Sequence, residues 1–295
     1  MDVLESHAAR LPAIDDRWTP RRHEHDELAD ALLAGKVAGP ITSHPLDNVR
    51  RNIRLLSEGD PDKQFGLSGL PGAMEEWEVL QAVGRLAGFT PDPDVHEGPT
   101  PIDPERVLEA CERAGDRLAL ACERGERVIV ATGHPVGLML LYREVARELS
   151  SRGAKLLRPC EGESLEDDAH ADPLRLRYLF GVAILTDRAN AKHTHSGEPM
   201  RRMLRAAEPD LVLADHGFAG SAIEAGVDTV SIADVNDPAL VVARELGRTS
   251  DVIVMDDNVR PDAYWPCFQA IVSRLPQPSQ GKPPKGGFLR PSTPG

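Results

Sequence analysis

Two kinds of hydrophobic pattern divide the chain. Between Glu126 and Leu275, short apolar runs alternate with segments whose apolar residues recur every three or four positions. The runs RVIVAT (127–132), AKLLRP (154–159), GVAILTD (181–187), DLVLA (210–214), DTVSIA (228–233) and DVIVM (251–255) read as strands. NAKHTH (190–195) reads as another, folded back on GVAILTD through a tight turn at 188–190. Between the runs lie helical patterns at 138–153, 198–208, 218–226, 238–247 and 261–275. The acidic segment 161–177 (EGESLEDDAHADPLRLR) reads as a loop with a short helix.

The first hundred residues carry only the helical period. Segments 23–36, 46–57 and 73–88 are helical, and Gly88 is a C-cap candidate. A proline-dense loop follows, and Asp103 with Pro104 opens a long helix that Gly125 ends. Strands alternating with helices predict an α/β fold: a mostly parallel, Rossmann-like sheet flanked by helices. The N-terminal helical segment, 1–100, is expected to pack on the 101–275 core. The tail 276–295, rich in Pro, Gly and Ser, is expected to be disordered.

Composition removes some partners. The formal net charge of the 295 residues is -13, which argues against a nucleic-acid backbone as ligand. It does not argue against a small anion, because a local pocket can oppose the overall charge. No apolar run approaches a membrane span, and the acidic N-terminus lacks the apolar core of a signal peptide. The four cysteines form no metal-ligand spacing and read as reduced, buried thiols. The expectation is a cytoplasmic protein that does not bind membranes, with room left for a homo-oligomer.

In an open parallel sheet, ligands bind beyond the carboxyl ends of the strands. Here those ends carry polar groups: Gly133 and His134 after the first strand, and Asp215 with His216 after LVLA. Asp234, Asn236 and Asp237 follow VSIA, and Asp256, Asp257 and Asn258 follow VIVM. His193 and His195 lead into Ser196 and Gly197. Clustered Asp and Asn oxygens suit a hard cation such as Mg²⁺ or Mn²⁺. Histidines nearby can ligate, or act as acid and base. The set expected to hold the metal is Asp215, Asp234, Asn236 and Asp256, with Asp257 as the alternative to Asp256. His134, His195 and His216 are the catalytic candidates. Asp237 precedes Pro238, as an N-cap does. Ser196 has a similar place before a helix. HEHDE at 23–27 is not HExxH and reads as a solvated helix face. No GxGxxG, P-loop or GxSxG motif occurs.

The stretches ATGHPVGL (131–138), HTHSGEPM (193–200), LVLADHGFAG (211–220) and IADVNDPAL (232–240) resemble a bacterial family known simply as phosphatases, common in high-GC genomes. NVRRNIRLLSEGD (48–60) and FGL (65–67) extend the resemblance upstream. It implies hydrolysis of a phosphate ester, without fixing substrate or catalytic residues. It also draws attention to Asn48, Arg51 and Asn52, which share one helix face. Either they reach over the strand edge to bind an anionic substrate, together with Gly133, Ser196 and Gly197, or they form a solvated face. Two functions remain. One is a metal-dependent phosphatase acting on the phosphate monoester of a small metabolite. The other is a non-hydrolytic binder of a nucleotide or sugar phosphate.

Overall fold

The computed structural model describes residues 16–165 and 173–277. The sheet has nine strands: β1 (Arg127–Ala131), β2 (Lys155–Leu156), β3 (Ser164–Leu165), β4 (Leu174–Leu179), β5 (Val182–Asp187), β6 (Asn190–Lys192), β7 (Leu211–Asp215), β8 (Thr229–Ala233) and β9 (Asp251–Val254). Their order is β3-β4-β5-β1-β7-β8-β9, with β2 paired to β1 and β6 to β5. The pairs β5-β1, β1-β7, β7-β8 and β8-β9 are parallel. Every residue of β7 and β8 is buried, which explains their unbroken apolar runs.

Ten helices flank this mostly parallel sheet among the described residues. They are α1 (His25–Gly35), α2 (Leu46–Ser57), α3 (Pro61–Gln64), α4 (Glu76–Ala87), α5 (Pro104–Arg124), α6 (Pro135–Ser151), α7 (Glu198–Ala206), α8 (His216–Glu224), α9 (Pro238–Glu245) and α10 (Trp265–Ser273). One packed group holds α1, α5, α6 and α10, and a second holds α2, α4, α8 and α9. One hydrophobic core runs through both, from Trp18 and Val49 to Phe268. None of these helices is long and apolar enough to cross a membrane.

The caps follow the sequence where the chemistry is strong. Asp103 accepts from Glu105 N at 3.0 Å, Pro104 opens α5, and Gly125 closes it at φ 62°. Elsewhere the structure differs. Segment 161–177 holds no helix among its described residues. Instead β3 and β4 form an antiparallel edge on β5, and residues 166–172 lie outside the description. In β4, Leu174, Leu176 and Tyr178 are buried while Arg175, Arg177 and Leu179 are exposed, the period of a half-buried strand. AKLLRP pairs over two residues only, and NAKHTH over three. The tail beyond 277 also lies outside the described residues.

One feature of the sheet builds the site. On the side of β5 away from β4, β1 pairs with Val182 and Ala183, and β6 pairs further along with Leu185, Thr186 and Asp187. The β5–β6 hairpin therefore overshoots the end of β1 and returns the chain across it. Thr194 N donates to Gly133 O at 2.9 Å, which pins 193–195 over the carboxyl edge.

At the crossing of α5 and α10, a Cβ on Gly115 would meet Ile271 O at 2.5 Å. Ala normally improves a helix by about 1 kcal/mol over Gly. Here overpacking of roughly 1–3 kcal/mol should outweigh it. Gly115→Ala is expected to lower the melting temperature, as followed by circular dichroism. A rise would show that the two helices can separate freely.

Candidate active site

Five carboxylates arrive at one edge of the sheet because β7, β8 and β9 end side by side. Asp215 closes β7, Asp234 and Asp237 follow β8, and Asp256 and Asp257 follow β9. All five are buried. Above them is a cavity of about 410 Å³, whose lining includes His44, Asn52, Lys63, Asn236, Asp257 and Asn258. Helices α2 and α3 bring the N-terminal segment over this edge, and Asn52 Nδ2 fastens α2 to Asn236 O at 2.8 Å.

The carboxylates have unequal surroundings. Asp256 is held by protein donors: Ser43 N at 2.7 Å, Ser43 Oγ at 2.7 Å and Asn258 N at 3.0 Å. It clamps the segment before α2 to the end of β9. Asp215 Oδ1 accepts from Gly133 N at 2.7 Å and bonds His216 Nδ1 at 2.8 Å. Asp234 accepts from Val235 N and from Asp257 N, the latter at 3.1 Å. Asp237 Oδ2 accepts from Asp234 N at 3.1 Å and makes no side-chain bond to the turn of α9 that it precedes. Asp257 Oδ2 is buried with no hydrogen-bond partner. It stands 3.7 Å from His134 Nδ1 and 3.9 Å from His216 Nε2.

Five imidazoles line the cavity over these acids, His44 and a cluster of four. His195 stacks on His216 with ring centroids 5.0 Å apart, and His134 lies 5.7 Å from His216. His193 touches His134, His195 and His216. His216 is buried and has φ 46°, a left-handed backbone rare outside glycine. Phe65 packs against both His195 and His216. Glycines let the loops close in. A Cβ on Gly133 would lie 2.4 Å from Thr194 O, and one on Gly217 would lie 2.1 Å from His195 O.

Charge is badly balanced. Burial works against a proton on His216, yet Asp237, Asp215 and Asp257 outweigh it and raise its pKa to about 10. Burial, then the His216 charge, holds His134 and His195 below the ordinary histidine range. Burial, then Asp257, Asp256 and Asp237, pushes Asp234 well above the carboxylate range. Burial raises Asp257 to about 8 against the opposing charge of His216. Lys63 reaches the lip of the cavity, where its Nζ lies 2.9 Å from Asp62. Asp62 in turn lies 2.9 Å from His195 Nδ1, though not aligned as a hydrogen bond.

The structure brings most of the expected residues together and separates a few. His134, His195 and His216 share the cavity with Asn52 and Asn236, and Asp215 and Asp234 lie beneath it. Asn48 takes the side-chain N–H of Asn236 at 3.1 Å. Arg51 is exposed and outside the lining, because α2 turns Val49, Asn52 and Ile53 inward. Gly133 has both backbone groups engaged, so it serves close packing. Ser196 Oγ accepts from Glu198 N at 3.3 Å, and Ser196 and Gly197 line a neighbouring hollow, as does His195. His44 and Lys63 also line the cavity, although neither follows a strand. Lysine is scarce in this arginine-rich chain, and that rarity was a usable signal for Lys63.

Two comparisons bear on identity. A family model described as Phosphatase matches residues 23–278. Phosphatase SCO2771 of Streptomyces coelicolor is 36% identical over 253 residues, which is 84% of this chain and 93% of that protein.

Above neutral pH the protein should lose stability as pH rises. Asp257 keeps its proton longer when folded, so its ionisation costs stability from about pH 4 up to about 8. His216 gives its full contribution below about pH 6.5 and loses it as pH rises through about 10. Both slopes share a sign. His134, His193 and His195, held below the ordinary histidine range, act with the opposite sign up to about pH 6.5, so a melting temperature that falls between about pH 7 and 9, measured in EDTA, is the expected profile. A rising profile would contradict this electrostatic account. Asp256→Asn should cost roughly 1–3 kcal/mol of stability through its lost charge-assisted bonds, while the folded variant keeps the activity of the parent. Inactivity at full stability would restore Asp256 as a ligand.

Proposed function

The chain belongs to the Phosphatase family, and from that premise we propose a metal-dependent phosphatase acting on the phosphate monoester of a small metabolite. The carrying observation is the crowd of buried carboxylates around one cavity. A phosphate dianion would be repelled from such a place unless cations stood between. The donor set fits one. His44 Nε2 lies 3.6 Å from Asp234 Oδ2, and His216 Nε2 lies 3.7 Å from Asp237 Oδ2. Such gaps are long for hydrogen bonds. They suit two ligands on one ion, whose bonds of about 2.0–2.2 Å leave its ligands about 3–4 Å apart. Imidazole among the donors favours Mn²⁺ over Mg²⁺. Bound there, the cation neutralises charge on the phosphoryl group and eases deprotonation of the attacking water.

The protein's own groups do the rest. Asp215 orients His216, so that Nε2 faces Asp237 and Asp257. Lys63 offers an ammonium to a phosphoryl oxygen at the lip. His134 and His195 are neutral near pH 7 and stand where a proton can pass to the leaving oxygen or from water. A cavity of about 410 Å³ lies toward the small end of ligand pockets, which span about 300–1,000 Å³. That favours a small substrate.

The test uses para-nitrophenyl phosphate and its bis-ester. Protein stripped with EDTA should release no nitrophenol, Mn²⁺ should restore release from the monoester, and the diester should remain intact. Lys63→Ala should raise KM about tenfold or more, matching the roughly 1.5–3 kcal/mol of one charge-assisted contact, with the melting temperature unchanged. Activity that persists in EDTA would sink the metal, and diester cleavage would sink the monoester.

A further inference from the structure

Asp257 has two neighbourhoods, each shaped for a cation. With His44 and Asp234, its ligand atoms lie within 4.8 Å of one another, and with His216 and Asp237 they do so again. We propose that the cavity binds two divalent cations at adjacent positions, sharing the Asp257 carboxylate, with His44 and Asp234 completing one position and His216 and Asp237 the other. This rests on the metal-dependent reading above and adds the number of ions and the division of ligands.

Three observations support two ions over one. The first is the unpartnered oxygen. Asp257 is 3% exposed and its Oδ2 lacks any hydrogen-bond partner, so a buried carboxyl oxygen stands without a donor. The second is charge. Asp256 clamps Ser43 and belongs to neither position. Ionised on binding, Asp234, Asp237 and Asp257, with Asp215 behind His216, carry four negative charges that two divalent ions cancel and one does not. The third is orientation. Each imidazole has its far nitrogen held: His216 Nδ1 by Asp215 at 2.8 Å and His44 Nδ1 by Asn236 at 3.2 Å. A held far nitrogen is the usual companion of a ligating histidine. The Asn48–Asn236–His44 chain works in either sense. With both amides turned over, Asn236 Oδ1 accepts from His44 Nδ1–H and leaves Nε2 free to ligate.

The experiment loads EDTA-stripped, desalted full-length protein with Mn²⁺. Bound metal is counted by equilibrium dialysis with elemental analysis, and electron paramagnetic resonance reports on coupling. The expected result is two Mn²⁺ per chain and an exchange-coupled spectrum. His44→Ala should then bind one and give the six-line spectrum of an isolated ion. His44 is 23% exposed in its side chain, so its removal leaves the core intact. A wild-type protein that holds one ion with an isolated six-line spectrum overturns the pair and leaves the single-cation reading standing. A wild-type protein that binds none overturns both. A His44→Ala protein that keeps two coupled ions overturns this division of ligands.

Discussion

The repulsion among Asp215, Asp234, Asp237 and Asp257 is the constraint from which the rest of the molecule follows. Bringing like charges together away from water is costly, and no arrangement of neighbouring dipoles removes that cost fully. The fold meets part of it locally. Backbone N–H groups of Gly133, Val235 and Asp257 are turned onto the acids, and one imidazole, His216, is enclosed among three of them. The unpartnered Oδ2 atoms of Asp215 and Asp257 mark what stays unmet. A site in this condition is a poor stabiliser of the fold and a good receiver of positive charge.

Holding that arrangement still requires a stiff frame. Three adjacent parallel strands fix where the acids emerge, and the β5–β6 hairpin carries two more histidines over the end of β1. Glycines at 133 and 217 let the crossing segments approach to contact, where any side chain would collide with backbone oxygen. The left-handed backbone at His216 belongs to the same account. Strain of this kind persists where the surroundings over-determine a residue. His216 is gripped by Asp215, by Phe65 and by the ring of His195.

Much of this was legible in the sequence, and the losses have physical causes. Strand ends could be read because parallel strands buried on both faces give unbroken apolar runs that stop abruptly at Asp215 and Asp234. The long helix α5, with its Asp–Pro start and Gly stop, was equally plain. The strand LRLRYL was missed because acidic residues before it drew the whole of 161–177 into one loop, although its alternation was visible. The division of labour among the acids was not legible. Asp256 and Asp257 are adjacent and chemically identical. Only the position of Ser43, more than 200 residues away in sequence, makes one a clamp and leaves the other free. Asp237 misled for a similar reason: an Asp before Pro looks like a cap, but its carboxylate turns back to Asp234 N.

His44 and Lys63 carry the same lesson from the opposite direction. Neither sits in the part of the chain that forms the sheet, and neither belongs to a spacing motif. They reach the site because α2 and α3 lie across the carboxyl edge, tied there by Asn52 to Asn236 O and by Ser43 to Asp256. The N-terminal helices therefore close over the acidic edge as well as covering the core. The family match beginning at residue 23 takes them in. A sheet alone would present acids to water, where their charges are hydrated and screened. With the helices across it, the same acids lie beneath a cavity rather than open water, and their charges are less hydrated and less screened.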